Sequence, residues 1–124
     1  MGLSDVTSVF ITADSVALDA DGISTAATLS GAGNLTSGGA LASGGSCTFN
    51  AGRIVTILSA GDDSGDTFTV TGTDVNGDAQ TEEITGANAG TATGSKYFKT
   101  VSQIATDGAS AGNVSAGVNA SVAD

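Results

Sequence analysis

The acidic residues offer the first candidate chemistry, because carboxylates bind hard cations and can act in pairs as acid and base. Asp74, Asn76 and Asp78 occupy alternate positions, as at the start of an EF-hand calcium loop. That loop also requires Gly at its sixth position and Glu at its twelfth. Those positions hold Ala79 and Thr85. The pattern therefore fails, and a polar turn is the better interpretation of these residues.

Two other acidic groups are also better explained by structure than by chemistry. The run Asp62-Asp63-Ser64-Gly65-Asp66 could bind a hard cation weakly, but as a polar turn between two strands it needs no ion. Glu82 and Glu83 are adjacent, and adjacent residues of a strand point to opposite faces of a sheet. They cannot act together as a catalytic pair. We predict neither a metal site nor a cofactor.

The chain also lacks the usual partners of a nucleophile. It has no histidine, so a Ser or Cys nucleophile would need Lys or the N-terminal amine as its base, and only Lys96 and Lys99 are present. Cys47 is the only cysteine, which allows no internal disulfide. Its neighbours Ser46, Thr48 and Phe49 favour a small buried hydrophobe over a reactive thiol. We predict that the protein is not an enzyme.

Charge and composition exclude further classes of function. Net charge is -10 with three cationic residues, which argues against nucleic-acid binding by phosphate neutralisation and against docking on anionic lipid. No run approaches the roughly 18 apolar residues of a membrane span, and residues 1–5 do not resemble a secretory signal. Ala, Gly, Thr and Ser fill 71 of 124 positions, which leaves material for one thin core.

The elements that carry these residues are predicted to be strands. Short runs rich in Val, Ile and Thr are separated by Gly, Asp and Asn, and no stretch reads as a helix. We predict an all-β fold, an antiparallel β-sandwich or small barrel of about eight short strands. Residues 1–20 are assigned to an extended N-terminal arm and residues 21–124 to a single β domain. The predicted strands are 16–19, 23–29, 40–49, 53–59, 67–73, 80–85, 96–104 and 113–118.

The hairpin around Asn76-Gly77 has two possible registers. A two-residue loop would pair Val70 with Glu83, whereas a three-residue loop pairs Phe68 with Ile84 and places both on one face. The longer loop also places Asp74 first in a type I turn and Gly77 at the left-handed bulge position. We therefore predict the three-residue loop, with Phe68 inside the domain.

The strand at residues 53–59 has apolar residues on both faces, since Ile54, Val55, Ile57 and Leu58 include both parities. Such a strand is covered twice, either within the sandwich or by a neighbouring subunit. Phe98 is predicted to be a core residue of a later strand.

Four stretches together resemble small virion proteins of tailed bacteriophages. They are RIVTILSAG (53–61), TFTVTGTD (67–74), QTEEITG (80–86) and KYFKTV (96–101). The resemblance covers roughly residues 50–118 and consists of turns and core positions, without an active site. It implies a capsid decoration (cement) protein that binds the major capsid protein on the outer surface of the head shell. Assembly in the bacterial host cytoplasm is consistent with a single cysteine, because proteins of that reducing compartment rarely form disulfides.

The resemblance also implies a homo-oligomer, with a trimer favoured because three-fold sites are common docking points in that group. Apolar residues of the arm and of strand 53–59 are the candidate capsid or subunit contacts: Val9, Phe10, Ile11, Ile54, Val55 and Ile57. An adhesion or carbohydrate-binding module of a head or tail fibre is the alternative. Such a module needs exposed aromatic rings, and the chain has one Tyr and four Phe.

Overall fold

The computed structural model describes residues 18–123, which form eight β-strands and no helix. In chain order the strands are β1 (Asp19–Thr28), β2 (Gly33–Asn34), β3 (Ala42–Ser43), β4 (Ser46–Ser59), β5 (Thr67–Thr73), β6 (Ala79–Thr85), β7 (Thr91–Thr106) and β8 (Asn113–Ala123). They form one open antiparallel sheet in the order β1-β8-β4-β7-β5-β6, to which β2 adds at β7 and β3 at β4. The all-β prediction is confirmed. The predicted arm contacts at Val9, Phe10 and Ile11 lie outside the described residues.

Irregular pairing of the two longest strands allows the sheet to fold over. From the pair Thr48–Thr100 to the pair Arg53–Phe98, β4 advances by five residues while β7 advances by two. Such bulges bend a strand and increase its twist. β5 separates β6 from β7 in the sheet, yet Gln80 of β6 donates to the Tyr97 carbonyl of β7 at 2.8 Å. The sheet therefore doubles back on itself in a sandwich-like arrangement.

The core lies between the facing parts of this folded sheet. It is a single cluster of small and medium side chains with three aromatic rings: Ile23, Leu35, Cys47, Phe49, Val55, Ile57, Phe68, Val70, Ile84, Phe98, Val101, Ile104, Val114, Ala116 and Val118. The predicted internal positions of Phe68 and Phe98 are confirmed, since both are fully buried.

The β5–β6 hairpin has the predicted register and turn. Phe68 pairs with Ile84, and Val70 pairs with Glu82. The Gly77 amide donates to the Asp74 carbonyl at 3.0 Å, and Gly77 adopts φ of +88°. The Asp74 carboxylate accepts from the amides of Asn76 and Asp78 at 2.9 and 3.0 Å. This is the interaction by which an aspartate stabilises a turn.

Several predicted strand boundaries are wrong. The predicted break at residues 20–22 lies inside β1, and β7 and β8 extend beyond the predicted strands 96–104 and 113–118. The predicted strand 40–49 is interrupted by a tight turn at Gly44-Gly45, where both residues have positive φ, as a type I′ hairpin turn requires. The predicted break after Phe49 is instead a bulge within β4, because the strand resumes its pairing with β7 at Arg53.

Candidate interface and its charged residues

The predicted interface residues of β4 differ in their exposure. Val55 and Ile57 are fully buried in the core of the chain itself, whereas Ile54 is half-buried and Leu58 is 38% exposed. Of the two apolar faces of β4, the face that carries Val55 and Ile57 therefore lies in the core. The predicted contact with another subunit or a shell through Ile54, Val55 and Ile57 stays a prediction. The accessible apolar side chains of this strand are those of Ile54 and Leu58.

Glu82 is a buried charged side chain that binds the backbone of another strand. It is 8% exposed and faces inward from β6, while the neighbouring Glu83 is exposed on the opposite face, as strand alternation predicts. One Glu82 carboxylate oxygen, Oε2, accepts from the Ser95 amide at 2.6 Å and from Ser95 Oγ at 3.0 Å. Its Oε1 lies 3.4 Å from the Lys96 amide nitrogen.

These amides belong to a bulge in β7. Between the pairs Ile54–Tyr97 and Thr56–Thr93, β7 advances by four residues while β4 advances by two. A bulge withdraws amides from the strand ladder, so they need another acceptor. The Glu82 carboxylate supplies the missing acceptor. Gly94 leaves room for it, because a Cβ there would stand 2.6 Å from Glu82 Oε1.

All three cationic residues of the chain also bind backbone carbonyl groups. Arg53 donates to the carbonyl of Asn119 at 2.7 Å, and Lys99 donates to that of Asn50 at 2.8 Å, both at irregular places in the pairing of β4. Lys96 donates to the carbonyl of Thr81 in β6 at 2.9 Å. The positive charges thus have structural contacts within the chain.

Arg53 is the buried member of this set, at 5% exposure. Burial lowers the pKa of its guanidinium from the ordinary value, and the negative charge of Asp19 acts in the opposite direction. The Arg53 guanidinium therefore links three neighbouring strands. It lies on β4, donates to the Asn119 carbonyl of β8 and interacts electrostatically with Asp19 of β1.

The acidic run at residues 62–66 forms the predicted turn. The Asp62 carboxylate accepts from the hydroxyl and the amide of Ser64, and these hydrogen bonds lower the pKa of Asp62. Asp63 is buried, and its Oδ1 accepts from the Ala111 amide at 2.7 Å. Its carboxylate thereby joins the turn to the loop before β8. Residues 18–123 contain no group of three or more His, Cys, Asp or Glu side chains placed to hold a metal ion.

A shallow polar groove lies next to this turn, with a volume of about 350 Å³. Its lining combines threonine hydroxyls with two carboxylates: Thr67, Thr69, Glu83, Ala105, Thr106 and Asp107. The Asp107 carboxylate accepts from the Thr67 amide at 2.9 Å, so part of this acidic lining is used by the fold.

Cys47 is 1% exposed, as the sequence predicts for a small buried hydrophobe. Burial raises the pKa of its thiol to about 11, because a thiolate would lose its hydration in the core. The thiol is therefore protonated and shielded at neutral pH.

Comparison of the chain with known proteins identifies no relative. No protein-family model matches the chain, and neither curated proteins nor solved structures show a match. Within the part of the chain that the structure describes, no helix is long and apolar enough to cross a membrane.

The sequence analysis missed the capping role of Glu82, in which its carboxylate accepts hydrogen bonds from the amides of the β7 bulge. Two signals were available: Glu82 follows the inward parity of Ile84 and Gln80 in the predicted hairpin, and Gly94-Ser95 interrupts a strand pattern where a bulge is expected. The contact between them depends on the doubling back of the sheet, which no local pattern encodes.

Proposed function

We propose that the protein is a non-enzymatic structural component of a tailed-bacteriophage virion, a decoration protein that binds the major capsid protein and stabilises the outer surface of the head shell. The proposal starts from the resemblance over residues 50–118. Those residues supply most of β4 and all of β5, β6 and β7, four consecutive strands of the sheet that extend to one of its edges. The protein acts as a homo-oligomer, with a trimer favoured.

The placement of charge carries the proposal. Arg53, Lys96 and Lys99 bind backbone carbonyl groups of the chain, while the net charge is -10. A surface of this kind repels phosphates and anionic lipids, so it favours a protein partner. On a decorated particle, the same acidic surface keeps particles apart in suspension.

The arm at residues 1–20 is proposed to make many contacts with the shell or neighbouring copies, through Val9, Phe10 and Ile11. Leu18, where the described part of the chain begins, is 63% exposed, so the arm joins the domain at an open surface. Extended segments commonly bind by lying along a partner or by adding a strand to a sheet edge.

A fibre adhesion module is less well supported. Sugar binding favours exposed aromatic faces. In residues 18–123, Phe49, Phe68 and Phe98 are buried and Tyr97 is half-buried. The described surface therefore offers only part of one aromatic ring for stacking.

Copy number on purified virions tests the proposal. We expect a quantitative gel of intact particles to show hundreds of copies of this chain, because decoration proteins cover a repeating shell. A few tens of copies or fewer would support the fibre module instead.

Truncation tests the role of the arm. We expect deletion of residues 1–12 to abolish binding to undecorated shells while far-UV circular dichroism still reports a folded β domain. As a control, Asp21→Asn alters an exposed acidic residue of the domain outside the arm and should leave shell binding intact. Full occupancy by the truncated protein would refute the role of the arm and favour docking through the folded sheet.

A further inference from the structure

β6 is an edge strand of the sheet, and half of its backbone amides and carbonyls point away from its neighbour β5. The Gly86 amide donates to the Asp66 carbonyl and the Asp74 amide to the Asp78 carbonyl, so the even-numbered residues of β6 face β5. Hydrogen-bonding direction alternates along an antiparallel strand. The amides and carbonyls of Ala79, Thr81, Glu83 and Thr85 therefore point away from the sheet, and the side chains of these four residues are exposed.

This edge is less protected than the other edge, β1. Other backbone segments bind β1, because Gly39 and Leu41 donate amides to the carbonyls of Ile23 and Gly22 at 3.0 and 2.8 Å. Along β6 the Lys96 ammonium covers the Thr81 carbonyl. The chain has no proline, one of the residues that natural proteins use to block an edge strand.

We infer that residues 7–12 of a neighbouring copy bind this edge and extend the sheet as an additional strand. This segment, Thr7-Ser8-Val9-Phe10-Ile11-Thr12, is rich in β-branched and aromatic residues. Its six residues are one fewer than the seven of β6. No charged residue occurs from Val6 to Ala13, so the segment can approach Glu83 without repulsion.

A neighbouring copy is the occupant that the proposed homo-oligomer supplies. β1, which follows the arm in the chain, and β6 are opposite edges of the sheet. An arm that binds the β6 edge of the next copy links the copies into one assembly, whereas an arm that binds β6 of its own chain leaves the protein monomeric.

The inference deepens the proposed homo-oligomer and rests on that part of the proposed function. Binding of an arm to a different surface on the next copy is a heterologous contact, which closes into a ring when the rotation between copies allows it. A trimer is one such ring.

Backbone substitution at the edge provides the test. Glu83→Pro removes an outward-facing amide without removing a bond to β5, and proline is tolerated where an edge amide faces solvent. Glu83→Ala is the matched control, because it removes the side chain and keeps the amide. By light scattering at micromolar concentration, we expect wild type and Glu83→Ala to be oligomeric, and Glu83→Pro and the chain lacking residues 1–12 to be monomeric. Far-UV circular dichroism checks that each variant is folded.

A second measurement does not depend on assembly. A labelled peptide of residues 5–14 should bind the chain lacking residues 1–12, with an affinity reduced about tenfold or more by Glu83→Pro and unchanged by Glu83→Ala. A monomeric wild type, an oligomeric Glu83→Pro variant or a peptide that does not bind would each overturn the inference. An oligomeric Glu83→Pro variant that no longer binds shells would assign the edge to the capsid protein instead. If wild type binds no shells while the peptide result holds, the proposed virion function fails and the inference stands.

Discussion

Removal of the Glu82 carboxylate should destabilise the domain more than any other loss of a negative charge on β6. The carboxylate accepts from the Ser95 amide at 2.6 Å and from Ser95 Oγ at 3.0 Å, and Glu82 is 8% exposed. Hydrogen bonds to charged groups contribute about 1.5–3 kcal/mol each. Ser95 and Lys96 are themselves exposed, so water can reach part of the vacated space. We therefore expect Glu82→Ala to lower the free energy of unfolding by about 2–3 kcal/mol.

Glu82→Gln separates charge from shape. Its single amide oxygen can still accept from Ser95, but its NH₂ group then faces the Lys96 amide, which is also a donor. We expect a loss of about 1–2 kcal/mol for this variant. Glu83→Gln is the matched control, because the same chemical change falls on an exposed residue of the same strand and should cost less than about 0.5 kcal/mol.

Urea denaturation followed by circular dichroism measures these differences, and the melting temperature of Glu82→Ala should fall by about 8–12 °C. A double-mutant cycle with Ser95→Ala should give a coupling of about 0.5–1 kcal/mol, since that substitution removes only the hydroxyl contact. Equal stabilities of Glu82→Gln and Glu83→Gln would refute the capping role of Glu82.

Two further predictions concern the hairpin turn and the buried thiol. Gly77→Val should destabilise the domain by about 1–2 kcal/mol, because a β-branched residue is strained at φ of +88°, while Asn76→Ala should cost less; equal and negligible losses in chemical denaturation would contradict the turn. The pKa of Cys47 is raised from 9.0 to about 11, so folding favours the protonated thiol. The stability advantage of wild type over Cys47→Ala should be constant below pH 9 and decrease between about pH 9 and 11, and an advantage that grows over that range would show the opposite linkage.

Several features of the fold follow from the sequence alone because they depend on residues close together in the chain. The Asp74 to Gly77 turn is one, since an aspartate that binds nearby amides and a glycine at positive φ specify the loop length. Once that length is set, period-two alternation places Phe68 and Ile84 on the inner face and Glu83 on the outer one. The all-β class and the burial of Phe98 follow from the same alternation.

Only the tertiary structure decided where the strands bend and what their irregular backbone groups bind. The bulge of β7 at Gly94 to Lys96 arises from unequal advance of two strands that are far apart in sequence, and its acceptor, Glu82, lies on a third strand. Likewise, Val55 and Ile54 are both apolar in the sequence, yet Val55 is fully buried and Ile54 is half-buried, because the core of the folded sheet lies on the face of β4 that carries Val55. Local turn chemistry and alternation act over a few residues, whereas bulges and layer contacts form when distant strands pair, so their positions follow from the assembled sheet.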